Sequence, residues 1–221
     1  LECPYDSRTT EMTEDLRTSR LIPTDEPYAA LGYDHPASGG NEKINATVLN
    51  TTGSNAIVDW VFVELRDPTN ANNVLAARSA LLQRDGDIVD LDGKSTLSFP
   101  DVATNQTAYI AVRHRNHLGI IAAGVSDLST VPILLDFSVN PSLAVGGMAA
   151  FSHVGNGQFA LFSGDFDGNG QVQNTDSNAQ NATLGASGYL PGDSDLNGQV
   201  QNTDLQIKLT PNLGRGAQFS Y

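Results

Sequence analysis

The sequence predicts a mainly β protein, in which a β-sandwich is followed by a small module of two repeated loops with short helices. Short apolar or alternating segments recur roughly every 8–12 residues between residues 44 and 140. No long helical stripe of apolar residues interrupts these segments. A twelve-residue acidic loop then occurs twice near the C-terminal end, in the pattern of a metal-binding loop.

The predicted strands differ in their patterning. Residues 56–66 are apolar at odd and even positions alike over most of their length, which indicates a central strand covered on both faces. Residues 107–115 alternate between apolar and polar side chains, as a half-buried strand does. Asp85 and Gly86 are a two-residue hairpin signal. The other predicted strands are 44–49, 76–83, 87–91, 95–99 and 131–139, while 148–151 and 159–162 either finish the sandwich or join it to the loops.

Three parts are expected along the chain. Residues 1–43 are an extended N-terminal segment, residues 44–163 an Ig-like or jelly-roll-type β-sandwich, and residues 164–221 the module of the two repeated loops. The N-terminal segment is polar and lacks sustained periodicity, with short candidate strands at 21–23 and 28–33. It either lies on its own domain or reaches a neighbouring subunit as an added strand, and the sequence leaves both alternatives open.

The repeated loop reads DFDGNGQVQNTD at 165–176 and DSDLNGQVQNTD at 193–204. A calcium loop supplies oxygen ligands from positions 1, 3, 5, 7, 9 and 12 and needs glycine at position 6. Both copies fill these positions, and three clustered acids repel one another unless a cation joins them. We therefore predict two calcium ions. The predicted ligands are Asp165, Asp167, Asn169, the carbonyl of Gln171 and Asp176, and in the second loop Asp193, Asp195, Asn197, the carbonyl of Gln199 and Asp204, with Gln173 and Gln201 acting through water.

This repeat resembles the dockerin module, whose loops end in Asp where an EF-hand has Glu. The resemblance covers residues 164–219, and both loops match the dockerin calcium pattern at every ligand position. It implies calcium binding and makes a cohesin-like protein a candidate partner. A dockerin continues each loop with a helix that has a regular apolar stripe, whereas the residues after Asp176 are polar and Gly-rich and predict no regular helix. Val172 and Val200, at position 8, are expected to pack the two loops together.

The strand region also resembles a recurrent segment of large secreted surface proteins of Bacteroidota-type bacteria. The stretches DWVFVELRD, ALLQRDGDIVDLDG and AVRHRNHLG carry this resemblance. It implies an extracellular setting and an all-β fold, and it implies no activity.

The net charge of −13 excludes nucleic acid and anionic membrane surfaces as natural partners and favours divalent cations. Between residues 116 and 207, a span that includes both loops, there is no Lys or Arg. No stretch approaches the ~20 apolar residues of a membrane span. Loops suited to millimolar calcium favour a secreted, extracellular or cell-surface location. The single cysteine, Cys3, excludes an internal disulfide and leaves either pairing with another chain or a free thiol in a mobile tail.

No catalytic constellation is recognisable, so no enzyme activity is predicted. There is no nucleophile elbow, and the four aspartates between residues 85 and 92 lie where hairpin turns favour Asp. His114 and His117 are predicted on opposite faces of one strand, without an acidic partner, which argues against zinc. Arg113 and Arg115 are expected to be counter-charges for local aspartates or for an acidic neighbour.

These observations favour a non-catalytic, extracellular calcium-binding structural protein, a subunit of a surface layer, fibre or matrix with calcium-stabilised contacts. Self-association is expected because residues 1–43 can add to a neighbour's sheet and an open sandwich has edge strands. Two alternatives remain. One is a dockerin-like attachment module that binds a cohesin-like receptor. The other is an accessory or carbohydrate-binding region of a larger secreted protein, for which the single tryptophan, Trp60, is weak support.

Overall fold

A computed structural model describes residues 1–37, 39–129 and 131–221, except for the side chain of residue 207. Strands hold 28% of the residues and helices 16%, so the predicted mainly β class is confirmed. The strand pairs of the described ranges are antiparallel, which is compatible with the predicted β-sandwich. In the same ranges no helix has the length and apolar character needed to cross a membrane.

Ten strands and two α-helices form the regular structure of the described residues. The strands are β1 (Tyr5–Asp6), β2 (Glu11–Met12), β3 (Ile57–Arg66), β4 (Val74–Gln83), β5 (Ile88–Val89), β6 (Thr107–His114), β7 (His117–Ile121), β8 (Ser126–Asp127), β9 (Phe151–Gly155) and β10 (Gln158–Leu161). The helices are α1 (Asp15–Thr18) and α2 (Asn174–Ala182). Short 3₁₀ segments occupy Ala46–Asn50, Pro141–Leu143, Gly147–Ala150 and Thr210–Asn212, and a π-helical segment occupies Asp204–Leu209.

The main sheet has the order β5-β4-β3-β6-β7, with β8 paired to β6. Strand β3 lies at its centre, and all ten of its residues are buried, as the apolar pattern of residues 56–66 predicts. Gly86 closes the predicted hairpin between β4 and β5 with a positive φ of 101° and donates its N–H to the carbonyl of Gln83 at 3.0 Å. Two separate hairpins, β1–β2 and β9–β10, lie outside the main sheet.

Three strands predicted between residues 44 and 140 do not form. Residues 44–49 lead into a 3₁₀ helix because the side chain of Asn45 accepts the N–H of Thr47 at 3.0 Å, a local cap that competes with strand pairing. Residues 95–99 contribute a single bridge, between Val89 and Thr96. There the carboxylate of Asp92 accepts successive backbone N–H groups and forms a turn. Residues 131–139 form no strand. There the carboxylate of Asp136 accepts the N–H and the hydroxyl of Ser138 and forms a local turn.

The N-terminal segment packs on its own chain through side chains. The strands predicted at 21–23 and 28–33 are absent. Instead, the hydroxyl of Tyr28 donates to the carbonyl of Trp60 on β3 at 2.9 Å, and Nε1 of Trp60 donates to the carbonyl of Pro23 at 3.0 Å. In the single chain, the N-terminal segment therefore packs on its own domain, which is the first of the two predicted alternatives. Four apolar side chains of the segment are buried in the main core: Met12, Leu16, Ile22 and Tyr28.

The repeat region shares its packing with the sheet. Leu196 is buried in the main core, and Tyr189 packs against that core. A second apolar cluster joins strand β7 to the first loop and to the π-helical segment. Its buried members are Leu118, Phe162, Phe166, Val172 and Leu209.

Cys3 is a buried free cysteine, so the alternative of a free thiol in a mobile tail is wrong. Burial raises the pKa of its thiol to about 12. The sulfur therefore stays protonated at neutral pH, and a buried thiol is a poor nucleophile.

Candidate metal centre

The structure brings the three acids of each loop together. One carboxylate oxygen each from Asp165, Asp167 and Asp176 lies within 4.8 Å of the other two, and Asp193, Asp195 and Asp204 are arranged in the same way. Positions 1 and 12 of both loops are fully buried, whereas position 3 is exposed in the first loop and half-buried in the second. The buried acids thus form the floor of each site, and the position-3 acid forms its rim.

The position-12 aspartate holds each loop closed through backbone hydrogen bonds. In the first loop, Asp176 accepts the N–H of Gln173 at 2.8 Å and that of Phe166 at 2.7 Å. In the second, Asp204 accepts the N–H of Gln201 at 2.8 Å and that of Ser194 at 3.0 Å. The two copies of the sequence therefore fold into the same local hydrogen-bond pattern.

The glycine at position 6 is required by the turn of the loop. Gly170 has a φ of +83° and Gly198 a φ of +87°, a conformation that other residues adopt at a cost. Their N–H groups donate to the position-1 carboxylates, at 3.1 Å for Asp165 and 2.8 Å for Asp193. This turn folds the middle of each loop back over its first acid.

The remaining predicted ligands lie at the rim of each loop. The side-chain oxygen of Asn169 accepts the N–H of Gln171 at 2.9 Å, and Asn197 accepts the N–H of Gln199 at the same distance. An amide oxygen has two lone pairs, so this bond leaves one for another partner. Asn169, Gln171 and Gln199 are exposed, and Asn197 is half-buried.

The electrostatics of the loops favour a cation. Burial, with the neighbouring charge of Asp176, raises the pKa of Asp165 to about 7, and burial raises the pKa of Asp193 to about 7. Among the described residues, Oδ1 of Asp165 has no hydrogen-bond partner, although this side chain is fully buried. A buried carboxylate oxygen without a partner is costly, and a bound cation would satisfy it.

The first loop is held against the sheet by Arg113 of β6. Its guanidinium donates to the carbonyl of Gly168 at 3.3 Å and pairs with Glu64 of β3 at 3.2 Å. It also stacks on the rings of Tyr33, at 4.2 Å, and Tyr221, at 3.9 Å. The first loop, the C-terminal residue and the N-terminal segment therefore meet at one arginine.

The second loop is attached to the turn between β6 and β7. Nδ2 of Asn116 donates to the carbonyl of Asp193 at 2.7 Å and to that of Pro191 at 3.0 Å. The guanidinium of Arg115 donates to the carbonyl of Leu190 and pairs with Asp59 of β3 at 3.1 Å. The pair with Asp59 confirms the predicted role of Arg115 as a counter-charge for a local aspartate. The bond from Asn116 ties the backbone of Asp193, a predicted calcium ligand, to the same turn.

The prediction that His114 and His117 point to opposite faces is wrong. Arg115 and Asn116 form a two-residue turn, so the two histidines face each other across a hairpin, with their Nδ1 atoms 3.2 Å apart. An acidic partner is also present, because Nε2 of His114 lies 3.2 Å from Asp59. Burial lowers the pKa of both rings, so they are neutral members of a buried hydrogen-bonded chain.

The expected absence of a helix after Asp176 is also wrong. Helix α2 covers nine residues although it has no apolar stripe, and its buried positions are Asp176 and Gln180. Gln180 donates to the carbonyl of Gln201 at 2.8 Å, so this helix contacts the second loop through a polar side chain. The bond between Asp176 and the N–H of Gln173 caps its first turn, which explains how a polar sequence forms a helix here.

Val172 and Val200, at position 8 of the two loops, are buried. Each loop also forms a backbone bridge to a segment outside the loops. Gln171 of the first loop bridges to Gly216, and Gln199 of the second bridges to Ser187. Each loop is thus bordered by a different part of the chain.

The chain matches no protein-family model, no curated protein and no solved structure. The interpretation of its site therefore depends on the residues and the geometry described above.

Proposed function

We propose that the chain is a non-catalytic, extracellular calcium-binding structural protein. In this proposal an Ig-like or jelly-roll-type β-sandwich carries a dockerin-like pair of loops, and the whole is a subunit of a surface layer, fibre or matrix. The observation that carries the calcium assignment is the buried Oδ1 of Asp165, which has no hydrogen-bond partner among the described residues. It lies with two other acids in a loop whose hydrogen bonds are repeated in the second copy.

The donor set fits calcium better than a softer ion. Each loop offers carboxylate, amide and carbonyl oxygens, and calcium takes six to eight such oxygens. Neither loop contains His or Cys, which zinc and copper prefer. When bound, the ion would supply the positive charge that the buried acids lack. The residues that would hold it are Asp165, Asp167, Asn169, Gln171 and Asp176, and in the second loop Asp193, Asp195, Asn197, Gln199 and Asp204.

A structural role follows from where the loops are attached. The first loop contacts Arg113 and the second contacts Asn116, so both are tied to the β6–β7 hairpin of the main sheet. A ligand that binds the folded state stabilises it by about 2.7 kcal/mol per site when its concentration is 100 times its Kd. Calcium at both loops would therefore stabilise the folded sheet as well as the loops.

The acidic surface supports calcium-dependent assembly. Chains of net charge −13 repel one another, and two calcium ions per chain would reduce that repulsion. In a calcium-rich setting outside a cell, bound calcium would therefore favour assembly over separate chains.

Helix α2 favours a second candidate function, a dockerin-like module that binds a cohesin-like receptor. It begins inside the first loop, as the exit helix of such a loop does. Its polar surface sets it apart from an apolar docking helix. A carbohydrate-binding role gains no support from Trp60, because that side chain is fully buried and cannot stack on a sugar.

Calorimetric titration of the chelated chain with calcium tests the assignment. The wild-type chain should bind two ions, and Asp165→Asn and Asp193→Asn should each bind one with unchanged affinity at the other loop. Asp101→Asn, at an exposed position outside the loops, is the matched control and should bind two. A wild-type chain that takes up no calcium at millimolar concentration would refute the proposal.

Light scattering and electron microscopy test the structural role separately. The full chain should form larger species in calcium and return to monomers in chelator. A chain that binds two calcium ions and stays monomeric at high concentration would retain the metal assignment and remove the assembly. Such a chain should then be tested for binding to a cohesin domain.

A further inference from the structure

A third cluster of metal-ligating side chains lies away from both loops. It consists of Glu26, His35 and Glu42, which we call the N-terminal triad. One ligand atom from each residue lies within 4.8 Å of the other two, and Nε2 of His35 is 3.7 Å from Oε2 of Glu26. The three side chains are 4%, 7% and 5% exposed, so the triad is shielded from solvent.

The Nε2 atom of His35 points into this cluster, where its contacts with Ser79 and Glu26 are long. Its Nδ1 lies 3.2 Å from the carbonyl of Tyr33, which can only accept, so Nδ1 carries the proton and the lone pair of a neutral ring is on Nε2. In the described ranges, the nearest polar atoms to Nε2 are Oγ of Ser79 at 3.5 Å and the Glu26 carboxylate. Both lie beyond the 2.7–3.2 Å of a normal hydrogen bond.

The two carboxylates are held in place by backbone N–H groups and a hydroxyl. Glu26 accepts the N–H of Tyr28 at 2.7 Å and the hydroxyl of Ser79 at 3.1 Å. Glu42 accepts the N–H of Gly40 at 2.7 Å and the N–H of Ser79 at 3.2 Å. These bonds orient both side chains toward His35, and they leave two negative charges in a buried site.

The nearby positive charge is shared with another acid. Nε of Arg78 lies 3.7 Å from Glu42, whereas its terminal nitrogens lie 3.2 Å from both oxygens of Asp90. The guanidinium is therefore directed mainly at Asp90. Two buried carboxylates that share one counter-charge with a third acid form a site in which a cation would be stabilised.

The surrounding residues fix the imidazole. Its ring packs edge-on against Phe62 of β3, with the ring centres 4.8 Å apart. Gly39 and Gly40 pass so close that a Cβ at either position would lie 3.1 Å from the His35 ring. A metal-binding histidine usually donates its second ring nitrogen to a carbonyl or carboxylate, as His35 does to Tyr33.

We propose that Glu26, His35 and Glu42 form a binding site for one divalent transition-metal ion of the zinc type. Three protein ligands that include an imidazole suit zinc, with water in the remaining position. Calcium takes oxygen ligands, so the triad and the acidic loops differ in the metal they select. The competing explanation is a metal-free ion pair, in which a doubly protonated His35 lies between the two glutamates.

The test is a zinc titration of the full chain, freed of transition metals and kept in saturating calcium so that the loops do not compete. One zinc ion per chain is expected. The affinity should fall at least about tenfold in His35→Gln and in Glu42→Gln. His153→Gln, which removes an exposed histidine, should leave it unchanged. Zinc uptake that is absent, or that is the same in His35→Gln as in wild type, would overturn the proposal.

Nitrogen NMR of the histidine rings keeps the test valid if a variant does not fold. In the wild-type chain, added zinc should shift the Nε2 resonance of His35 from that of a free lone pair to that of a metal-bound nitrogen. A His35 ring that is doubly protonated at neutral pH and does not respond to zinc would establish the ion pair instead.

Discussion

Replacement of Asp59 by Asn should be among the most destabilising single changes in this chain. Asp59 lies on the central strand β3, and its carboxylate and the guanidinium of Arg115 are both fully buried, 3.1 Å apart. It also accepts hydrogen bonds from His114, Tyr189 and the N–H of Trp60. Asparagine has almost the same volume, so the substitution removes the charge and one acceptor oxygen while it leaves the packing intact.

The magnitude follows from the buried charge that is left behind. Removing one partner of a buried ion pair costs about 3–5 kcal/mol, because the other charge stays buried without compensation. This is a large part of the ~5–15 kcal/mol that stabilises a typical domain. Such a loss would also affect the segment that leads into the second loop, because Arg115 donates to the carbonyl of Leu190, which precedes that loop.

The pH dependence of the wild-type chain provides a second measure of the same pair. Burial acts to raise the pKa of Asp59, but attraction to Arg115 and the hydrogen bond from His114 outweigh it and lower the pKa from 3.8 to about 2. A lowered acid pKa stabilises the fold above pH ~4, and this stabilisation is lost as the pH falls toward 2. The shift corresponds to about 2 kcal/mol of unfolding free energy. Asp59→Asn already lacks this contribution, so acidification should not remove it from the variant.

Urea unfolding at pH 7 in saturating calcium measures the change. Asp25→Asn is the matched control, because Asp25 also pairs with a cation, Lys43 at 2.9 Å, but both side chains are largely exposed. Its midpoint should stay close to that of wild type. If Asp59→Asn unfolds at the same urea concentration as Asp25→Asn, the reasoning about the buried pair is wrong.

Three further predictions concern the loops and the buried thiol. Chelation of calcium should lower the melting temperature of the whole chain in one calorimetric transition, because Asn116 joins the second loop to the sheet and Arg115 joins the preceding Leu190 to it. Separate melting of the two parts would contradict this. Gly198→Ala should cost about 1–2 kcal/mol and weaken calcium binding, because its φ is +87° and the new Cβ would lie 2.5 Å from Leu21. Calorimetry of the exposed control Gly53→Ala should show unchanged calcium affinity. The Cys3 thiol should resist a thiol reagent at pH 8 and react in urea, and rapid labelling of the native chain would refute its burial.

Features that depend on neighbouring residues could be predicted from the sequence. The acids of each loop converge because all of them lie within twelve residues and a glycine at position 6 forces the turn. The central position of β3 follows from its apolar pattern, since both of its faces must be covered. Where a local cap or turn competes with pairing, as at Asn45 and Asp92, the same patterns predicted strands that do not form.

The sequence by itself thus determined the mainly β class, the central strand and the repeated acidic loops, because spacing and hydrophobic pattern act over short distances. Only the tertiary structure decided which distant groups meet. Asp59 reaches Arg115 across 56 residues and Tyr189 across 130, and the N-terminal triad is assembled on Ser79 of β4, 53 residues from Glu26. Such contacts depend on how the segments pack in three dimensions, because the sheet and the loops that cover it bring together residues that no local spacing relates.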